Sequence, residues 1–170
     1  MISKQLQNAF NTQINAELWS AYLYLSMSMA AERKGLPGIA NWFYIQWLEE
    51  QDHARILQRF LIERDIPVIL QPIAAVPTEW DSPEAMFNET LEHECKVTAM
   101  IDELMTMAHI EKDYASQNRL QWFVAEQVEE EDSARAIISS LKRLGGNGLG
   151  LYQLDGRLGE REYHRASALE

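Results

Sequence analysis

The sequence is poor in residues that cross-link or interrupt a chain, with one cysteine, five prolines and eight glycines among 170 residues. Because Cys95 has no partner in the chain, an internal disulfide is excluded and a reducing compartment is expected. No apolar run approaches the roughly 18 residues that cross a bilayer, and the first residues show no apolar signal core. We therefore expect a cytoplasmic protein that does not enter the membrane.

Basic residues are also scarce, because 15 Lys and Arg stand against 26 Asp and Glu, for a net charge of −11. A chain this acidic is repelled by DNA, RNA and anionic lipid, so the expected partners are cations and include neither nucleic acid nor a membrane. Hydrophobic residues make up 46% of the chain and charged residues 24%, which excludes a disordered chain. The length fits a single domain over residues 1–170.

The few glycines and prolines separate four long segments in which apolar residues recur at helical spacing. These segments predict helices over residues 3–33, 39–65, 83–110 and 113–144, followed by a short helix over residues 149–161. Short links after the first and third helices favour antiparallel pairs. Residues 66–82, which contain three prolines, predict an extended crossover that makes the second and third helices parallel. The predicted fold is therefore all-α, a four-helix bundle with a short C-terminal fifth helix and one long crossover, which is the connection found in ferritin-like folds.

One carboxylate interrupts the apolar stripe of each long helix. Glu17 lies in the stripe of the first helix, Glu50 and His53 lie in that of the second, and Glu94 and Glu130 lie in those of the third and fourth. Counted from the short links, all five residues fall at nearly the same height. The sequence thus predicts that they converge near the middle of the bundle.

Four carboxylates in a dry core must be protonated, paired with cations or bound to metal, because each loses its hydration and repels the others. None of the four stripes contains a Lys or Arg that could pair with them. Carboxylate oxygens with one imidazole suit iron or manganese better than zinc or calcium. The pair Glu50-x-x-His53 matches the dinuclear arrangement of such bundles, whereas the fourth helix has Gln127-x-x-Glu130 in place of Glu-x-x-His. The pattern predicts a dinuclear metal site.

At these residues the chain resembles the bacterial non-haem ferritins, and the resemblance covers essentially its whole length. It implies one iron held by Glu17, Glu50 and His53, and a second held by Glu50, Glu94 and Glu130, with Gln127 nearby. It also implies a third iron site formed by Glu49, Glu126 and Glu129 and sharing Glu130. Tyr24 matches the family's tyrosine next to the site, which donates an electron or a hydrogen bond. Haem is not expected, because Asp52 stands where the similar bacterioferritins have a haem-ligating Met.

The resemblance implies a ferroxidase that oxidises Fe(II) with O2 or H2O2 and stores the product as a ferric oxyhydroxide mineral. The mineral would be stored inside a hollow homo-oligomeric cage of about 24 subunits, that is, a 24-mer. A di-iron oxidoreductase or peroxidase that stores nothing would use the same ligands and is the alternative. A helical scaffold without enzymatic activity is a third hypothesis, and it leaves the inward-facing acids unexplained.

Overall fold

The computed structural model describes residues 2–169, and over that range the regular secondary structure is entirely helical. Four long helices, α1 to α4, are followed by a short helix, α5, and a single 3-10 turn. Their bounds are α1 Lys4–Arg33, α2 Pro37–Glu63, α3 Pro83–Ile110, α4 Tyr114–Leu144, α5 Gly148–Leu158 and the 3-10 turn Ser167–Leu169. The all-α fold class is confirmed. None of these helices combines the length and apolar character that a membrane crossing requires.

Polar side chains fix where three of the long helices begin. Ser3, Ser82 and Asp113 each precede a helix, and their side-chain oxygens accept a hydrogen bond from a backbone N–H in its first turn. This contact satisfies a donor that the helix itself leaves without a partner. The N-termini of α1, α3 and α4 are therefore set locally by the sequence.

The second helix differs from its predicted range at both ends. It begins at Pro37, two residues before the predicted start, because proline has a fixed φ and needs no hydrogen-bond acceptor in a first turn. It ends at Glu63, two residues before the predicted end. Asp65 there adopts a left-handed φ of 57°, and the Ile66 amide donates to the Leu61 carbonyl.

The apolar core consists of two clusters at opposite ends of the bundle. One cluster joins the C-terminal halves of α1 and α4 to the N-terminal halves of α2 and α3, and it includes Tyr24, Phe43 and Phe87. The other cluster joins the remaining halves and includes Phe10 and Leu57. This distribution makes α1 antiparallel to α2, α3 antiparallel to α4, and α2 parallel to α3. Residues 64–82 form the crossover between the two ends and contain no helix or strand.

Helix α5 lies against the start of α2. The Asp155 carboxylate accepts hydrogen bonds from the backbone N–H groups of Gly38, at 3.1 Å, and Ile39, at 2.8 Å. The helices approach so closely that a Cβ atom on Gly38 would lie 1.7 Å from the Asp155 carbonyl oxygen. The glycine at position 38 is therefore a packing requirement.

The chain beyond α5, residues 159–169, forms a tail that lies across α2 and α4. Helix α5 ends at Leu158, three residues before the predicted end. The tail is attached to α2 at Asp52, whose carboxylate accepts from the Tyr163 hydroxyl at 2.6 Å and the Ala166 amide at 3.2 Å. On α4, Arg119 donates to the Ala168 carbonyl at 3.4 Å. The tail thus covers part of the surface next to the middle of the bundle.

Candidate metal centre

A layer of charged and amide side chains separates the two apolar clusters. The four carboxylates of Glu17, Glu50, Glu94 and Glu130 come from α1, α2, α3 and α4, and these residues are 1%, 2%, 1% and 7% exposed. His53 is 2% exposed. All five are flanked by apolar turns of their own helices, so the helical period that buries those turns also buries the acids. We call these five residues the polar layer.

Helices α1 and α2 contribute the first group of possible metal ligands. Glu17, Glu50 and His53 each place one ligand atom within 4.8 Å of the others. His53 Nδ1 lies 3.5 Å from Glu50 Oε2, and the Gln13 amide donates to Glu17 Oε1 at 2.8 Å. Glu17 Oε2 and Glu50 Oε2 are buried and make no hydrogen bond. Two buried carboxylate oxygens are therefore available to a cation.

Helices α3 and α4 contribute carboxylates that neighbouring side chains hold in place. Glu94 accepts from the Tyr24 hydroxyl on one oxygen and from the Gln127 amide, at 3.1 Å, on the other. Glu130 Oε2 accepts from the Gln46 amide at 2.8 Å. Gln127 thus lies beside the polar layer as an amide donor, and Tyr24 directly contacts a carboxylate of the layer.

A second group of possible ligands extends from the layer toward the surface. His53, Glu126 and Glu130 each place a ligand atom within 4.8 Å of the others. Glu49 lies at the edge of this group and forms an ion pair of 2.6 Å with Arg161. Glu129 is exposed on α4, and burial, together with the charge of Glu129, raises the pKa of Glu126. We call Glu49, Glu126, Glu129 and Glu130 the acidic patch.

The electrostatics of the layer favour a bound cation. Burial, and then the charge of Glu50, raise the pKa of Glu17 well above its usual range. Burial, followed by the charges of Glu94 and Glu130, does the same for the pKa of Glu50. The pKa of Glu130 is raised to about 8 by burial and by Glu94. Within residues 2–169, no Lys or Arg forms an ion pair with a carboxylate of the polar layer.

The donor set fits two divalent metal ions of the iron or manganese type. It consists of carboxylate oxygens with one imidazole, which hard first-row cations accept readily. Metal binding would give the buried carboxylate oxygens a partner and offset both the burial and the mutual repulsion that raise these pKa values. The Trp122 ring packs edge-on against the His53 ring, with 5.5 Å between centroids, and holds the imidazole from the outer side.

Sequence reasoning missed two features that complete the layer. Gln13 and Gln46 donate their amides to Glu17 and Glu130 and thereby orient them. The position of Gln13, one turn before Glu17, and that of Gln46, one turn before Glu50, were the signals that could have revealed them. Arg161 gave no such signal, because the irregular tail has no period that would place it beside Glu49.

The fold and the layer define a class: a four-helix bundle with a carboxylate-rich candidate metal site between its helices. The ferritin-like domain family matches residues 7–144. The chain is 44% identical to a bacterial non-haem ferritin of Bacteroides fragilis, over 95% of this chain and 100% of that protein. It is 39% identical to that of Campylobacter jejuni, over 91% of this chain and 93% of the relative.

Solved structures give the same result. An open-pore ferritin from the hyperthermophilic archaeon Archaeoglobus fulgidus superimposes with a TM-score of 0.94 at 48% identity, covering 95% of this chain and 100% of that one. The chain therefore belongs to the ferritin family, and the resemblance noted in the sequence is confirmed. The carboxylate cluster of the polar layer fits the di-iron site expected of that family.

Proposed function

We propose that this protein takes up Fe(II), oxidises it at the polar layer and stores the ferric product. The observation that carries the proposal is the convergence of four buried carboxylates and one imidazole, one carboxylate from each long helix, with which no Lys or Arg of residues 2–169 forms an ion pair. A structural role does not explain such a layer, because apolar residues of similar volume would be at least as stable there. Its similarity to named non-haem ferritins supports the same function.

Two Fe(II) ions are the substrate of the layer. Glu17, Glu50 and His53 would bind one ion, while Glu94 and Glu130 with Glu50 would bind the other. Each iron gives up one electron, so a pair reduces O2 and two protons to H2O2, or reduces H2O2 and two protons to two water molecules. Hard carboxylate ligands favour Fe(III) over Fe(II), which drives the oxidation. Tyr24, through its hydroxyl on Glu94, would hold that carboxylate while the charge on the iron rises.

The acidic patch would bind a third cation. Support comes from the grouping of Glu126 and Glu130 with His53 and from the proximity of Glu129 to Glu126. Glu129→Ala tests this role. We expect it to change the amount of O2 consumed per iron oxidised while leaving rapid binding of the first two ions intact. An unchanged ratio contradicts a third site in the reaction.

The stored product would be a ferric oxyhydroxide mineral inside a hollow homo-oligomeric cage of about 24 subunits in the cytoplasm. The proposal can be tested by adding several hundred Fe(II) per chain to metal-free protein in air and separating the mixture by size. We expect tens or more of iron atoms per chain to elute with a particle of hundreds of kilodaltons. Two or three iron atoms per chain would instead favour the non-storing oxidoreductase, and none would contradict any iron function.

A further inference from the structure

The tail brings a positive charge to the edge of the acidic patch. Arg161 Nη2 lies 2.6 Å from Glu49 Oε2, and the two side chains are only 27% and 21% exposed. By contrast, the ion pair between Lys96 and Glu92 has side chains 67% and 71% exposed. Because water screens a half-buried pair less than an exposed one, the contact between Arg161 and Glu49 is the stronger of the two.

Arg161 is held in this position by contacts that do not involve Glu49. Its guanidinium carbon lies 4.9 Å from the centroid of the Trp42 ring, and its Nη1 donates to the Trp42 carbonyl at 3.4 Å. The side-chain amide of Asn41 donates to the Arg161 carbonyl at 3.0 Å. Main chain and side chain are thus both fixed to the first half of α2, and the guanidinium has a defined place beside the patch.

The Arg161 guanidinium is paired with the Glu49 carboxylate, which the third cation would need as a ligand. Within residues 2–169, it is the one Lys or Arg that forms an ion pair with a member of the acidic patch. A metal ion that binds Glu126 and Glu130 can take Glu49 as a further ligand only if the guanidinium leaves it. A guanidinium that stays also repels the incoming ion.

We propose that Arg161 is the resident counter-ion of the third cation site and that the third cation displaces it. This inference rests on the third site in the proposed function. Binding of the third cation and attachment of the tail then oppose each other, and linkage requires the effect to be equal in both directions. Arg161 is a positioning residue, because it acts on the metal ion through Glu49.

The first experiment measures how tightly the assembled, metal-free protein binds Mn(II), a divalent probe that prefers oxygen ligands. Equilibrium dialysis compares the wild type with Arg161→Gln. Removing the positive charge should tighten the third Mn(II) equivalent about tenfold and leave the first two unchanged. The matched control is Arg59→Gln, because Arg59 also contacts the tail, at the Leu169 carbonyl, yet touches no residue of the patch.

Three results of this dialysis would count against a proposal, and they are distinguishable. Equal affinity for the third equivalent in Arg161→Gln and wild type overturns the role of Arg161. Two tight equivalents with no third, in both proteins, also overturn it while leaving the polar layer as a metal centre. No Mn(II) bound by either protein contradicts the proposed function itself.

The second experiment needs no substitution and so does not depend on how a variant folds. Hydrogen exchange of the wild type is followed by mass spectrometry on peptides covering residues 160–169, with two and then three Mn(II) per chain. We expect amide exchange in the tail to speed up only on addition of the third equivalent, by about the same tenfold factor. Unchanged exchange in these peptides overturns the displacement of Arg161.

Discussion

The polar layer and the apolar clusters on either side of it are equally buried, yet they have opposite effects on the stability of the fold. Phe10, Phe43 and Phe87 in the clusters are fully buried, and so, within a few per cent, are Glu17 and Glu50 in the layer. Burial of the aromatic rings stabilises the fold, at about 25 cal/mol for each Å² of apolar surface removed from water. Burial of the carboxylates destabilises it until a cation binds. The ends of the bundle thus supply the stability that lets the middle retain its carboxyl groups.

The largest effect is expected where the apolar ends are weakened. Phe87 packs against the rings of Trp42 and Phe43, with centroids 5.0 and 4.9 Å apart. Phe87→Ala should lower the free energy of unfolding by about 3–5 kcal/mol, because it removes buried surface and leaves a cavity. Chemical denaturation of the metal-free protein at fixed concentration measures this. The folded variant should keep its full number of bound Mn(II) ions. Loss of those ions would show that metal binding by the polar layer depends on the packing of the apolar clusters.

The second-largest effect is expected from a substitution in the polar layer itself. Glu50→Gln removes a carboxylate that both proposed iron positions share, so initial Fe(II) oxidation should slow by about 100-fold or more. The metal-free variant should be at least as stable as the wild type, since a buried ionisable group has been replaced by a neutral one. Stopped-flow absorbance and denaturation measure the two effects. Glu103→Gln, which changes an exposed acid on α3, is the matched control; rapid oxidation by Glu50→Gln would contradict the assigned site.

The pH dependence of stability in the unmutated protein distinguishes the polar layer from the apolar clusters. Glu17, Glu50 and Glu130 have pKa values raised by burial, to about 8 for Glu130, so the folded state binds more protons than the unfolded one above pH 4.5. Stability of the metal-free protein should therefore fall as pH rises from about 5 to 8. His93, whose pKa is lowered by burial, acts in the opposite direction but is a single group.

This fall in stability should be visible as a lower Tm at pH 8 than at pH 5.5, measured by calorimetry without metal. Asp113, whose pKa is lowered to about 2 by its hydrogen bond from Arg64, keeps its full contribution over this range and does not alter the trend. Glu130→Gln should make the dependence shallower, because it removes one group with a raised pKa. A Tm that rises steadily from pH 5.5 to 8 in the metal-free protein contradicts the interpretation of the layer.

The smallest effect is expected from removing the hydrogen bond that joins an apolar cluster to the polar layer. Tyr24 belongs to an apolar cluster, but its hydroxyl donates to Glu94. Tyr24→Phe should slow Fe(II) oxidation about two- to tenfold, the loss expected for one hydrogen bond, with the number of bound Mn(II) ions unchanged. Tyr22→Phe, on the exposed face of α1, is the control. Equal rates in the two variants would leave Tyr24 a packing residue.

Much of the fold could be predicted, because each long helix has one apolar stripe and this stripe has to face the core of the bundle. The stripes of α1 to α4 placed Glu17, Glu50, His53, Glu94 and Glu130 at one height, and the structure brings these residues into one layer. Helix ends were less accurate, as at Glu63, which precedes the left-handed Asp65, and at Leu158. Arg161 was not predicted, because its partner Glu49 lies 112 residues away along the chain.

By itself, the sequence determined the four helices, their order and the carboxylate that each turns inward, because the helical period links spacing along the chain to a face of the helix. Only the tertiary structure decided which carboxylate oxygens are held by an amide or hydroxyl, as both oxygens of Glu94 are, and which buried oxygens of Glu17 and Glu50 are available to a cation. It also decided that the tail returns to α2 and sets Arg161 against Glu49. Such contacts join parts of the chain that share no period, so they exist only once the helices have packed.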